Sequence, residues 1–146
     1  MSFDDLIRQL GNTLQLDLNF SDNGTVSVLF DEDEVFFEKY EKQLYIFADI
    51  GDAKDSLFVM KRVLSANYLG NETGQGVISI NEIDNSFVLH RLIDGVVSYE
   101  VFEKILIMFV KAVRYWKEWI SLPREELQQK KLENRDSPFS ILDSIV

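Results

Sequence analysis

The chain has no cysteine, one histidine and two prolines among its 146 residues. Without cysteine there is no disulfide framework, no thiol nucleophile and no thiolate-bound zinc. A single histidine, His90, leaves no multi-histidine metal site and argues against a histidine-based triad, which also needs a nucleophile and an orienting acid. Basic charge is scarce: 15 Lys and Arg stand against 25 Asp and Glu, a formal net charge of −10. Phosphate neutralisation needs a basic surface, so nucleic acid is not an expected partner. No apolar run approaches the ~18–20 residues that cross a bilayer, so membrane insertion is not expected. The first ten residues, MSFDDLIRQL, are acidic where an export signal is positive. Export by that route is therefore not indicated, and a reducing cytoplasm is the expected setting.

What is present suits one ordinary domain. Apolar residues make up 46% of the chain, enough for a real core. Charge is uneven: residues 1–60 hold 13 acids and 4 bases, whereas residues 61–146 hold 12 acids and 11 bases. A negative field of that kind favours basic or weakly charged partners, and it also keeps an apolar protein dispersed.

The pattern along the chain alternates between the two periods of regular structure. Phe3, Leu6, Ile7, Leu10 and Leu14 recur at helical spacing behind a Ser2/Asp5 capping box. Leu16-Asp17-Leu18-Asn19-Phe20 alternates and predicts a strand, followed by an Asn23-Gly24 hairpin turn. Strands are expected over Val26–Phe30, around Val35–Tyr40 and over Leu44–Ile50, with Asp31-Glu32-Asp33-Glu34 as a solvated connection. Asp55 or Ser56 caps a second helix reaching about Tyr68, with Leu57, Met60, Val63 and Leu64 in its apolar set. Val77–Asn81 and Ser86–Leu92 form a hairpin, and the longest helix runs from about Ser98 to Ser121. The expected order is α-β-β-β-α-β-β-α, an α+β domain over residues 1–121 with an antiparallel twisted sheet packed with helices. Residues 122–146 form a C-terminal tail, partly helical or flexible, that turns apolar again near Phe139-Ser140-Ile141-Leu142.

Several chemistries are missing. The glycines between Gly70 and Gly76 are followed by a strand pattern and by no Lys-Ser/Thr pair, so they do not make a phosphate loop. Asp31–Glu34 lacks the ligand spacing and central glycine of a calcium loop. No cofactor is implied. An enzyme working through surface carboxylates has no visible base and nucleophile to support it.

Three stretches in order carry a resemblance. Leu64-Ser65-Ala66-Asn67-Tyr68-Leu69-Gly70, then Thr73-Gly74-Gln75-Gly76-Val77-Ile78-Ser79-Ile80, then Phe87-Val88-Leu89-His90-Arg91 resemble the class I type III secretion chaperones, the CesT/Tir-chaperone family. Length, acidity, the helix-first opening and the aromatic-rich last helix fit as well, and the resemblance covers about residues 1–120. It implies a homodimer in the bacterial cytoplasm that binds the non-globular N-terminal segments of type III effectors and holds them extended. It further implies delivery of the effector complex to the secretion ATPase, without catalysis. An adaptor or regulator of the same fold, binding a folded secretion or signalling protein, is the alternative.

On that basis the expected effector contacts are Phe3, Leu6, Ile7 and Leu10 on the first helix, with Phe30, Phe36 and Phe37 on the strands. Core packing competes for the helix residues. Phe36 and Phe37 are neighbours on a strand and must face opposite ways, so one of them points away from the core. Phe58, Lys61, Arg62, Ser65 and Tyr68 are the expected dimer contacts, with Leu57, Met60 and Leu64 turned to the sheet. Asn67 reads as a helix-end residue, and Trp119 as core or interface.

Overall fold

A computed structural model describes residues 1–123; the expectations for the tail beyond Pro123 lie outside the described residues. The order is α1 (Phe3–Leu14), β1 (Thr25–Phe30), β2 (Asp33–Tyr40), β3 (Gln43–Asp52), α2 (Leu57–Ala66), a 3-10 turn (Tyr68–Gly70), β4 (Val77–Asn81), β5 (Ser86–Asp94) and α3 (Tyr99–Ser121). The five strands form one antiparallel sheet in the order β1-β2-β3-β5-β4, so β1 and β4 are its edges. This is the expected α+β order.

Local chemistry sets the helix starts. Ser2 Oγ accepts the Asp5 N–H at 3.1 Å while the Asp5 carboxylate accepts the Ser2 N–H at 2.9 Å, a reciprocal cap. Ser56 caps α2, and Ser98 caps α3 through the Val101 N–H at 3.3 Å. The inner face of the sheet carries Val28, Val35, Phe37, Leu44, Ile46, Ala48, Ile50, Leu89 and Ile93, all buried against the helices. α3 supplies Phe102, Leu106, Phe109, Val113, Trp116 and Ile120 to the same core. Gly51 lets α3 approach β3 closely: a Cβ there would sit 2.9 Å from Ile120 Cγ2.

The structure corrects three expectations. Leu16–Phe20 is not a strand. Gln15 turns left-handed at the end of α1, and the Leu16 N–H returns to Gly11 O at 2.8 Å. That return needs Gly11, whose missing Cβ would meet Leu16 O at 2.6 Å, and it buries Leu18 under the helix. Local closure thus overrides the alternating pattern. Asp31–Glu34 is not wholly a solvated turn, because Asp33 and Glu34 begin β2 and Asp33 is buried. α2 stops at Ala66 and buries Val59, Val63 and Ala66, leaving Leu57 at 76% and Leu64 at 67% exposure. Periodicity put the stripe one face away, because a helix apolar nearly all round fits several stripes. Asn67 does end α2, as expected: it is the C-cap, and its main-chain N–H donates to Leu64 O and Ser65 O, while its side chain is used elsewhere, as described below. Of the two readings of Trp119, the core one holds: it is buried within the chain, packed on Phe58 and Trp116 with centroids 6.3 and 5.6 Å away.

Candidate interaction site

The two sheet edges differ in what occupies their main-chain groups. The Lys39 N–H donates to Gly24 O at 2.9 Å, which makes Gly24 and Lys39 a bonded pair just before β1. In an antiparallel ladder such pairs alternate, so Val26, Val28 and Phe30 turn their main-chain groups to β2 while Ser27 and Leu29 turn theirs outward. Ser21 covers the start of the edge: its N–H donates to Thr25 O at 2.8 Å, and its Oγ accepts the Thr25 N–H at 3.3 Å. Ser27 and Leu29 have no such cover among the described residues. At the other edge, the Asn67 carboxamide accepts the Ile78 N–H at 2.8 Å and donates to Ile78 O at 3.0 Å. One side chain there plays the part of a neighbouring strand residue.

Beside the open edge lies an apolar groove of about 470 Å³ between α1 and α3. Leu10, Leu14, Phe30, Leu106, Ile107 and Val110 line it, with Glu103, Lys111 and Arg114 at the rim. Side chains at Val26, Val28 and Phe30 point toward this helical side of the sheet, whereas Ser27 and Leu29 point to the other face. Leu29 is 62% exposed and Ile107 61%, large apolar groups in contact with water.

The mouth of the groove is fixed by charge. Arg114 donates to Asp33 at 3.0 Å, to Asp31 at 2.8 Å and to Phe30 O at 3.3 Å, and Lys117 donates to Asp33 at 2.9 Å. Burial acts to raise the Asp33 pKa, but the hydrogen bonds and charges of Lys117 and Arg114 outweigh it and hold the carboxyl below its ordinary value. The β1–β2 turn is thereby tied to α3. Sequence pattern gave no sign of this, because the partners are more than 80 positions apart.

The face of the sheet away from the helices carries a lateral row, Ser27, Phe36, Phe47, His90 and Val77, set by the strand register. Phe36 and Phe47 stack with centroids 5.4 Å apart. Glu34, Glu38 and Asp49 stand in the neighbouring rows of the same face, so the apolar row is fringed by acids. Burial lowers the His90 pKa, which keeps the imidazole neutral at pH 7.

The expected contact residues divide between surface and core. Phe3, Leu6, Ile7, Leu10 and Phe37 are buried in the protomer. Phe30 and Phe36 are half-buried; Phe30 and Leu10 meet in the groove, and Phe36 is the outward member of its pair. Phe58, Lys61, Arg62 and Ser65 line one depression on α2, and Tyr68 stands 75% exposed just past it. Arg62 also forms a two-pronged ion pair with Glu72 and lies 5.0 Å from the Trp116 ring, which donates its indole N–H to Glu72 O at 2.8 Å. Leu57 and Leu64 widen the apolar surface of α2. Among the described residues there is no cluster of metal-ligating side chains and no helix long and apolar enough to cross a membrane.

The sequence model of the Tir chaperone protein (CesT) family matches residues 5–117. A comparison of the sequence with curated proteins finds no match. Among solved structures, a chain of the ExsC-ExsE complex superposes with a TM-score of 0.70 at 18% identity, covering 85% of this chain and 98% of that one. The HopA1-SchA chaperone-effector complex gives 0.66 at 17% identity, covering 80% and 93%. The Yersinia pestis type III secretion chaperone SycH, in complex with a fragment of YscM2, gives 0.64 at 16% identity, covering 79% and 99%. At these identities the likeness is one of fold.

Proposed function

The chain belongs to the Tir chaperone protein (CesT) family, and from that premise we propose that it is a type III secretion chaperone holding the non-globular N-terminal segment of an effector. The observation that carries this reading is the pairing of an uncovered strand edge, at Ser27 and Leu29, with the apolar groove beside it. A guest chain added to β1 gains main-chain hydrogen bonds from the edge and sends alternate side chains into the groove. Leu10 and Phe30 meet those side chains, and a following segment of the guest lies across Phe36 and Phe47. Phe3, Leu6, Ile7 and Phe37 then act beneath the site, holding its floor. Acids around the row keep the empty surface in solution and draw basic guest segments.

Two protomers associate through α2, where Phe58, Lys61, Arg62, Ser65 and Tyr68 gather with exposed Leu57 and Leu64. The protein works in the bacterial cytoplasm and hands the loaded effector to the secretion ATPase. It does no bond-making of its own and uses no cofactor.

Pull-down from a strain expressing a type III system, followed by limited proteolysis and mass spectrometry, tests the reading. The expected result is a dimer retaining an effector fragment of several tens of residues that resists protease only in the complex. Recovery of a monomer with no effector segment refutes it. A folded partner whose cleavage pattern is unchanged by the complex shows the adaptor instead.

A further inference from the structure

Within reach of the open edge and its groove is a segment of the same chain. The sequence runs 23 residues past Pro123 and contains Phe139-Ser140-Ile141-Leu142. β1 itself reads Val26-Ser27-Val28-Leu29: two large apolar residues with serine between them, then leucine. The edge strand and the tail thus carry the same apolar-Ser-apolar-Leu pattern. In β1 it places Val26 and Val28 on the groove side and Ser27 on the opposite face. A tail strand laid beside β1 places Phe139 and Ile141 over the groove formed by Leu10, Leu14 and Val110, with Ser140 next to Ser27.

Length and charge permit this. From Arg114 at the groove rim to Ser121 is seven residues of α3, about 10 Å. Residues 124–138 are a 15-residue connection, whose greatest possible reach is about 50 Å. Residues 124–146 hold four bases and five acids, so the acidic first 60 residues do not drive them away. A connection of this length supplies an effective concentration on the order of millimolar, so a weak contact suffices.

We propose that residues 139–142 pair with β1 and fill the groove whenever no guest is bound, so that the guest enters by displacing the chain's own tail. The inference rests on reading this edge as the guest's seat. It gives the unloaded protein a cover for its most aggregation-prone strand.

The absence of cysteine makes the test clean. In the full-length chain, Ser27→Cys with Ser140→Cys puts two thiols across the proposed pair, at a separation a disulfide accepts. Mild oxidation of the dilute protein is expected to link them within one chain. The yield should be at least five-fold above that of a control pairing Ser79→Cys on β4 with Ser140→Cys. Adding Phe139→Asp and Ile141→Asp to the first pair is expected to cut its yield at least five-fold. Equal yields for the two pairs, links only between chains, or a yield indifferent to the aspartates each overturn the proposal. No guest enters these measurements. Failed effector capture with the cross-link intact would count against the chaperone reading alone.

Discussion

Asn67 occupies both main-chain groups of Ile78, accepting its N–H at 2.8 Å and donating to its carbonyl at 3.0 Å. The sheet is thereby made asymmetric. Its β4 edge is covered at Ile78 by a side chain from the end of α2, while its β1 edge, at Ser27 and Leu29, has no comparable cover among the described residues. Exposed edges invite pairing, and natural sheets close the ones they do not use. The edge left open borders the groove; the edge covered at Ile78 borders α2, where the proposed partner protomer sits.

Asn67→Ala should leave the Ile78 N–H and C=O without partners at a half-buried position. The expected cost is about 1–3 kcal/mol. Urea unfolding is expected to show a lower midpoint at unchanged slope, and light scattering should show larger species at high concentration. Asn67→Asp retains an acceptor for the Ile78 N–H but sets a carboxylate against the Ile78 carbonyl, so it should fall between the two. An alanine variant with native midpoint and native scattering would mean that this edge does not need its cover.

Phe36 and Phe37 should separate cleanly. Phe37 is fully buried and lies 6.2 Å from Phe102, so Phe37→Ala should cost about 3–5 kcal/mol of stability. Phe36 stacks on Phe47 on the outward face, so Phe36→Asp should leave the far-ultraviolet spectrum and most of the melting temperature intact. Anisotropy of a labelled effector segment captured by the native protein should show at least ten-fold weaker binding to Phe36→Asp. Undiminished binding would move the guest off this face.

Strand alternation made the Phe36/Phe37 division legible in the sequence. Adjacent Phe36 and Phe37 had to face opposite ways, and their surroundings settled which is which: Phe37 lies under α3. The element order followed from short turns and period, because antiparallel neighbours need little more. Leu16–Phe20 misled because a strand pattern without a partner is free to close locally, here onto Gly11. The α2 stripe misled because apolar residues occur on nearly every side of that helix. The groove and the Asn67 cover were out of reach, since each depends on contacts between segments distant in sequence. Asn67 is 11 positions from Ile78, and Leu10 is about 100 from Val110.

Asp33 should make the protein acid-sensitive in a defined sense. Its folded pKa lies below the unfolded value of about 3.9, so the stability it contributes is complete above that value and is lost as pH falls through the lower folded one. Asp33→Asn removes the charge that Lys117 and Arg114 hold. Urea midpoints measured from pH 5 down to pH 2 should decline less steeply in that variant, from a lower starting stability at pH 5. Arg114→Ala should shift the steep part of the decline toward higher pH, because Asp33 keeps only Lys117. Curves parallel to the native one would remove the β1–β2 turn clamp from the account.

His90 is expected to give guest binding its own pH dependence. Its neighbours across the strands are Phe47 and Val77, and along β5 on the same face they are Val88 and Leu92. The nearest acids by register are Asp49, opposite Val88, then Glu38 and Glu34 on β2, each one row from Phe36. Burial lowers its pKa, so the unfolded chain binds the proton more readily than the folded one. Stability therefore falls as pH drops below the unfolded value of about 6.5 and levels off beneath the folded one. A guest lying across Phe47 takes further water from the imidazole and pushes its pKa lower still. Effector-segment affinity should then be several-fold weaker at pH 5.5 than at pH 7.5, and His90→Gln should flatten that dependence while keeping the neutral-pH affinity. Tighter binding of the native protein at pH 5.5 would show that Asp49, Glu38 and Glu34, and not desolvation, govern the imidazole once the face is covered.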